Sequence, residues 1–169
     1  MDAVLMALRK ELAFPDAGEL TVILLRVLIA ALLGAVIGWD RERKGRAAGL
    51  KTHILVAVGS ALFVLAPTLA GVSADANTRV MQGIVSGIGF LGAGAILRTQ
   101  GGDRIEGLTT AASIWMTAAI GMAAGMGKEI LALVTTLLAW VVVAGLPKVL
   151  GETPSHRHGH QGGRGGGDG

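Results

Sequence analysis

The chain has 169 residues, of which 51% are hydrophobic and 16% charged, and its formal net charge is +3. A soluble domain ordinarily carries about a quarter charged residues; here the few charges gather in clusters, so lipid is the solvent for most of the chain. The absence of cysteine excludes disulfides, thiolate metal sites and a cysteine nucleophile. The basic balance fits topology and anionic lipid rather than nucleic acid, because no basic stretch is interleaved with stacking aromatics.

Residues 1–18 form an N-terminal segment in which Val4, Leu5, Leu8 and Leu12 share one face at helical spacing. That pattern predicts an amphipathic helix lying in the membrane interface. Arg9, Lys10 and Glu11 stand where the cleavage site of a leader would lie, so the segment is not read as a signal peptide.

A transmembrane domain is expected over 19–150, with spans at about 20–39, 52–71, 81–97, 108–126 and 130–146. Each approaches the ~17–25 residues needed to cross the hydrocarbon. The expected fold is therefore all-α, a polytopic membrane protein built as a five-helix transmembrane bundle with a Gly-rich central helix.

In the first span Arg26 lies roughly 9 Å inside the outer end by helical rise. Its guanidinium is expected to snorkel to the outer headgroups, or else to pair with Glu19, Asp75 or Glu129. Ala30, Gly34 and Gly38 recur every four residues and offer a face for close helix contact. After this span come Asp40, Arg41, Glu42 and Arg43, then Lys51, Thr52 and His53. With Arg98 and Glu106 they make a charged mouth. A solvated basic loop would satisfy topology alone, but the alternating signs offer ion pairs, so the mouth is a candidate partner or ligand site. Pro67 is expected to kink the second span near its far end.

The third span carries Gly83, Gly87, Gly89, Gly92 and Gly94. Gly87, Gly89 and Gly92 match the spacing of a dinucleotide fingerprint, but that motif needs a preceding strand and a βαβ unit. Packing explains the glycines better. They fall on two roughly opposite faces, which predicts a central helix gripped on both sides. The alternative is a broken helix whose carbonyls line an ion route.

In the fourth span Thr109, Thr110, Ser113 and Thr117 fall within an arc of about 100°, with Glu106 joining them if the helix begins early. These hydroxyls suit either a polar cavity or bonds to neighbouring helices and their own backbone. Only Gly127, Lys128 and Glu129 separate the fourth and fifth spans, which forces a tight hairpin, and Pro147 is expected to end the fifth. Residues 151–169 form a Gly/His-rich tail expected to be disordered. Its His156, His158 and His160 read as part of a solvated linker, with a weak metal site as the alternative.

Arg41, Arg43, Lys44, Arg46, Lys51, Arg98, Arg104, Lys148, Arg157 and Arg164 fall on one side of these spans. Only Arg9, Lys10, Arg79 and Lys128 fall on the other. The excess places the N-terminus in the periplasm and the C-terminus in the cytoplasm. No carboxylate lies within a predicted span, which argues against a self-contained Mg²⁺ carrier. Nor does any cluster at membrane depth mark a catalytic, cofactor or metal set, so an enzyme is not expected.

Three blocks carry a resemblance: 38–43 (GWDRER) with 48–53 (AGLKTH), 86–98 (SGIGFLGAGAILR), and 107–115 (GLTTAASIW) running on to Gly121 and Met122. In their order the chain resembles the MgtC/SapB family of bacterial inner-membrane proteins. The resemblance implies a membrane domain linked with magnesium limitation and survival in host cells. It also implies an accessory or regulatory role on other membrane machinery, the ATP synthase or transporters among them, with no cofactor. Many members carry a cytoplasmic ligand-binding-like domain after the last span, where this chain has its short tail, so a role closer to the minimal membrane unit is expected. The rival is a small oligomeric magnesium or ion transporter with the third and fourth spans lining the route.

Overall fold

The computed structural model describes residues 2–12, 14–98 and 105–145. Helix ends in this chain are set by a few local devices. Asp16 accepts from the backbone N–H of Glu19 at 2.8 Å and starts the long helix α2 (Ala17–Arg43) after the short α1 (Asp2–Glu11). Glycine in the left-handed region stops three helices: Gly45 after α2, Gly71 after α3 (Leu50–Leu69) and Gly127 after α5 (Leu108–Gly125). At Gly127 the N–H groups of Gly127 and Lys128 close back onto the carbonyls of Ala124 and Ala123, which satisfies the last acceptors of α5. The chain then turns directly into α6 (Glu129–Trp140) and a π turn over Val141–Gly145, the tight hairpin the spacing predicts.

Between α3 and α5 stand α4 (Ala74–Ala95) and a two-residue ladder, β1 (Leu97–Arg98) against β2 (Ile105–Glu106), with Leu97 opposite Glu106. Because Glu106 lies in β2, it does not join the hydroxyl arc of α5. Gly107 makes the turn into α5 with φ of 93°, and a Cβ there would run into the carbonyl oxygen of Ala95.

The protein is an all-α polytopic membrane protein. Its helices fall where the apolar runs predict, but the count of five spans is too high by the measure of length and apolarity. Among the described residues α2, α3 and α5 are long and apolar enough to cross a membrane, and α6 with its π turn is shorter. α4 has the length, yet Arg79, Gln82 and its many glycines dilute its apolarity.

The larger correction concerns which helix is central. α5 packs against α2, α3, α4 and α6, and more of its residues are buried than in any other described helix. Its Gly121 and Gly125 lie so close to α3 that an added Cβ would strike the carbonyl oxygens of Ala57 and Ala61. The Ala30, Gly34 and Gly38 stripe of α2 closes on α3 in the same way, with a Cβ on Gly34 reaching 2.8 Å from His53 O. Ala57, Ala61, Ile120 and Ala124 are fully buried and seal this three-helix seam. α4 lies at the side. Nothing stands within 4 Å of a Cβ on Gly83, Gly87, Gly89 or Gly94, and only Gly92 meets a neighbour, Ala111. Beside α4 an apolar groove of about 520 Å³ runs against α3, lined by Phe63, Gly83, Gly87 and Leu91 among others.

Candidate functional site: a buried basic cluster at one mouth of the bundle

Where α2 ends and α3 and α5 begin, the alternating charges find partners other than one another. Asp40 pairs with Lys44 at 2.8 Å, one helical turn on. The Lys44 ammonium also donates to the carbonyl of Val143 at 3.1 Å, inside the π turn whose widened ring frees such acceptors. Glu42 reaches across the turn and accepts from the backbone N–H of Leu50 at 2.9 Å, capping α3 from outside, since Gly49 has no side chain to do so. A Cβ on Gly49 would occupy the place of that carboxylate. Arg43 lies over the Trp39 ring at 5.8 Å. Trp39, Asp40, Arg43, Trp140, Ala144 and Gly145 line a cavity of about 260 Å³.

Arg41 points the other way, into the bundle. It is 3% exposed, and its Nη2 donates to the hydroxyl of Thr110 at 2.6 Å. His53 is fully buried, with Nδ1 2.8 Å from the Gly49 carbonyl and Nε2 3.2 Å from Ser113 Oγ. The Ser113 hydroxyl donates to the carbonyl of Thr110, and that of Thr117 to the carbonyl of Ser113, both at 2.8 Å. The Gly49 carbonyl can only accept, so in the neutral imidazole Nε2 is left as an acceptor beside the Ser113 hydroxyl, which donates either to it or to Thr110. The neutral tautomer that serves Gly49 holds the proton on Nδ1. The cluster thus runs from Arg41 through Thr110 and Ser113 to His53 and ends at Thr117.

The residues singled out in the sequence therefore divide. Arg41, His53, Thr110, Ser113 and Thr117 come together in the interior, whereas Thr109 is exposed and stands apart from them. Asp40, Glu42 and Arg43 rim the mouth, Lys51 is exposed and Thr52 half-buried. Arg98 lies in β1 and Glu106, exposed, in β2. Arg26 is remote from this cluster. Among the described residues it pairs with none of Glu19, Asp75 and Glu129; instead Nη1 donates to the carbonyl of Gly125 at 3.0 Å, at the C-terminal end of α5. A cation is favoured there by the helix dipole. His156, His158 and His160 lie outside the described residues. Among the described residues no group of three or more potential ligand side chains could hold a metal ion.

Sequence reasoning missed the packing role of Gly121 and Gly125. Ser113, Thr117, Gly121 and Gly125 recur every four residues, so the hydroxyl arc and the close-packing glycines are one continuous stripe.

Fold and cluster together define a polytopic helical membrane protein with a buried basic polar centre near one membrane face. Comparison with known proteins makes this specific: the MgtC family model matches residues 27–151, and the chain belongs to that family. Protein SrpB of Synechococcus elongatus is 44% identical over 135 residues, covering 73% of this chain and 74% of SrpB. Protein MgtC of Salmonella typhimurium is 46% identical over 115 residues, which is 68% of this chain but 48% of MgtC. YhiD of Escherichia coli, named as a candidate magnesium transporter, is 40% identical over 129 residues, 71% of this chain and 58% of YhiD. No solved structure matches.

Proposed function

We propose that the protein is a non-enzymatic accessory component of a bacterial inner membrane, linked to magnesium homeostasis or low-magnesium and acid stress. It acts by contact with other membrane proteins, the ATP synthase or transporters being the partners the family resemblance suggests. The observation that carries this reading is the sealed seam of α2, α3 and α5. Below Thr117 the interior is a cluster of the buried side chains of Ala57, Ala61, Ile120 and Ala124, with no carboxylate among the described residues. A route for Mg²⁺ needs oxygen ligands and room for retained waters, and a buried arginine at its entrance repels the ion. The charge bias across the loops supports a periplasmic N-terminus and a cytoplasmic C-terminus. The exposed Val4, Leu5 and Leu8 of α1 support its lying in the interface.

A second reading has one observation in its favour. The open glycine face of α4, beside its apolar groove, suits contact with a further copy, and a route between copies would make the protein an oligomeric ion transporter. Mg²⁺ uptake into proteoliposomes containing only this protein separates the two. A flat trace from folded protein is expected. Saturable uptake, abolished by Gly87→Leu, would establish the transporter and end the accessory reading.

A further inference from the structure

The rim of the mouth is electrically matched, but its buried cation has no bonded anion among the described residues. Among the described residues the one ion pair joins Lys44 to Asp40, and Arg41 has a single hydrogen bond, to a neutral hydroxyl. Its Nε is buried without a partner. Leaving a guanidinium out of water with one neutral acceptor is costly unless an anion completes it.

The surroundings add to the demand. Thr110 belongs to the first turn of α5, an 18-residue helix whose N-cap, Gly107, supplies no side-chain acceptor. The first backbone bond within that end is from Ala111 N to Gly107 O, so the N–H groups of Leu108, Thr109 and Thr110 have no helical acceptor. They carry the positive end of the α5 dipole. Arg41 also lies in the last turn of α2, whose negative end favours it, and the two helix ends roughly offset. What is left over, among the described residues, is a buried guanidinium that the neighbouring Asp40 carboxylate attracts without bonding, beside three N–H groups with no helical acceptor. α3 solves the same problem with Glu42; α5 has no such carboxylate among the described residues.

We infer that Arg41, the Thr110 hydroxyl and the uncapped first turn of α5 form a binding site for a phosphate group. Guanidinium and helix N-terminal N–H groups are the two donors that suit phosphate oxygens best. Depth favours phosphate over a protein carboxylate. Trp39, two residues before Arg41, is 57% exposed, and Trp140 is 45% exposed on the same cavity, as residues at headgroup level are. Leu108 and Thr109 are exposed, which leaves the first turn open to approach. The occupant is either a phospholipid headgroup or free phosphate; both present the same oxygens. The site stands independently of the accessory role, which the uptake assay tests by itself.

The test uses the full chain purified in dodecyl maltoside, which contains no phosphate. Binding is measured by titration calorimetry with inorganic phosphate against chloride at equal ionic strength, then with phosphatidylglycerol against a phosphate-free diacylglycerol. Saturable binding of either phosphate compound is expected. Arg41→Gln weakens it at least about tenfold, as the loss of a charge-assisted hydrogen bond does. Thr110→Val weakens it too, and Thr110→Ser retains it; this pair carries the test if Arg41→Gln does not fold. Binding of inorganic phosphate assigns a soluble ligand, and binding of phosphatidylglycerol alone assigns the headgroup. The inference is overturned if neither binds, if binding is equal in the Arg41→Gln and Thr110→Val proteins, or if acetate competes better than phosphate.

Discussion

Replacing Gly121 by alanine tests which helix the bundle is built around. A Cβ at this position stands 2.9 Å from both the Cα and the carbonyl carbon of Ala57, and closer still to its oxygen. Carbon contacts settle near ~3.5–4.0 Å, so α3 and α5 must separate by roughly 0.6–1 Å at this point. A gap of that size forfeits about a quarter to a half of each contact along the seam. Because the added methyl meets only unyielding backbone, the overpacking sits in the upper part, about 2–3 kcal/mol, of the usual range, which more than offsets the ~1 kcal/mol by which alanine exceeds glycine in helix propensity. Gly121→Ala is therefore expected to destabilise by about 1–2 kcal/mol. Gly83→Ala and Gly87→Ala, where the added methyl meets nothing within 4 Å, are expected to be neutral or slightly stabilising. Reversible unfolding in mixed detergent micelles measures all three. Equal destabilisation by Gly83→Ala and Gly121→Ala would refute the reasoning and return α4 to the centre.

Further substitutions probe the mouth and the opposite end. Gly49→Ala displaces the Glu42 carboxylate from Leu50 N and is expected to cost about 1–2 kcal/mol; in Glu42→Ala, where the cap is already gone, the same change costs much less, and a double-mutant unfolding cycle reads the difference. Arg26→Met is expected to cost about 1.5–3 kcal/mol, the range for a hydrogen bond from a charged donor, and Arg26→Lys less; stability unchanged by Arg26→Met would show the Gly125 bond to be immaterial. His53→Ala leaves Ser113 without its imidazole neighbour and opens a cavity, for an expected loss of about 2–4 kcal/mol by thermal unfolding. Arg43→Gln with Lys51→Gln, both at exposed side chains, is expected to preserve insertion and stability while reducing partner capture from native membranes. Undiminished capture would remove these residues from the contact surface.

The elements were legible because a span must be apolar throughout, and that constraint leaves long runs no other fold produces. Capping was equally readable in principle, since Gly71 and Gly127 each follow an apolar run and Gly45 follows the charged end of one. Centrality was not. A glycine stripe records how closely another helix could approach, never whether one does, and α4 has more such stripes than α5. The deciding residues, Gly121 and Gly125, carry a close-contact signal only as the continuation of Ser113 and Thr117 at the same four-residue spacing. Charge pairing failed for a related reason. Asp40, Arg41, Glu42 and Arg43 alternate in sequence, but on a helix consecutive residues point about 100° apart. Arg41 therefore faces the interior while its neighbours face the rim.

Two hydrogen bonds described separately share a register. Arg26 holds Gly125 and Arg41 holds Thr110; along α2 and along α5 the contacts are equally spaced, fifteen residues apart and in opposite directions. At 1.5 Å per residue the two fastenings lie about 22 Å from each other, most of the way through the hydrocarbon. α5 cannot slip by one turn against α2 without releasing both. The pair behaves as a strut pinned at its two ends, which fixes the register of α5 against α2.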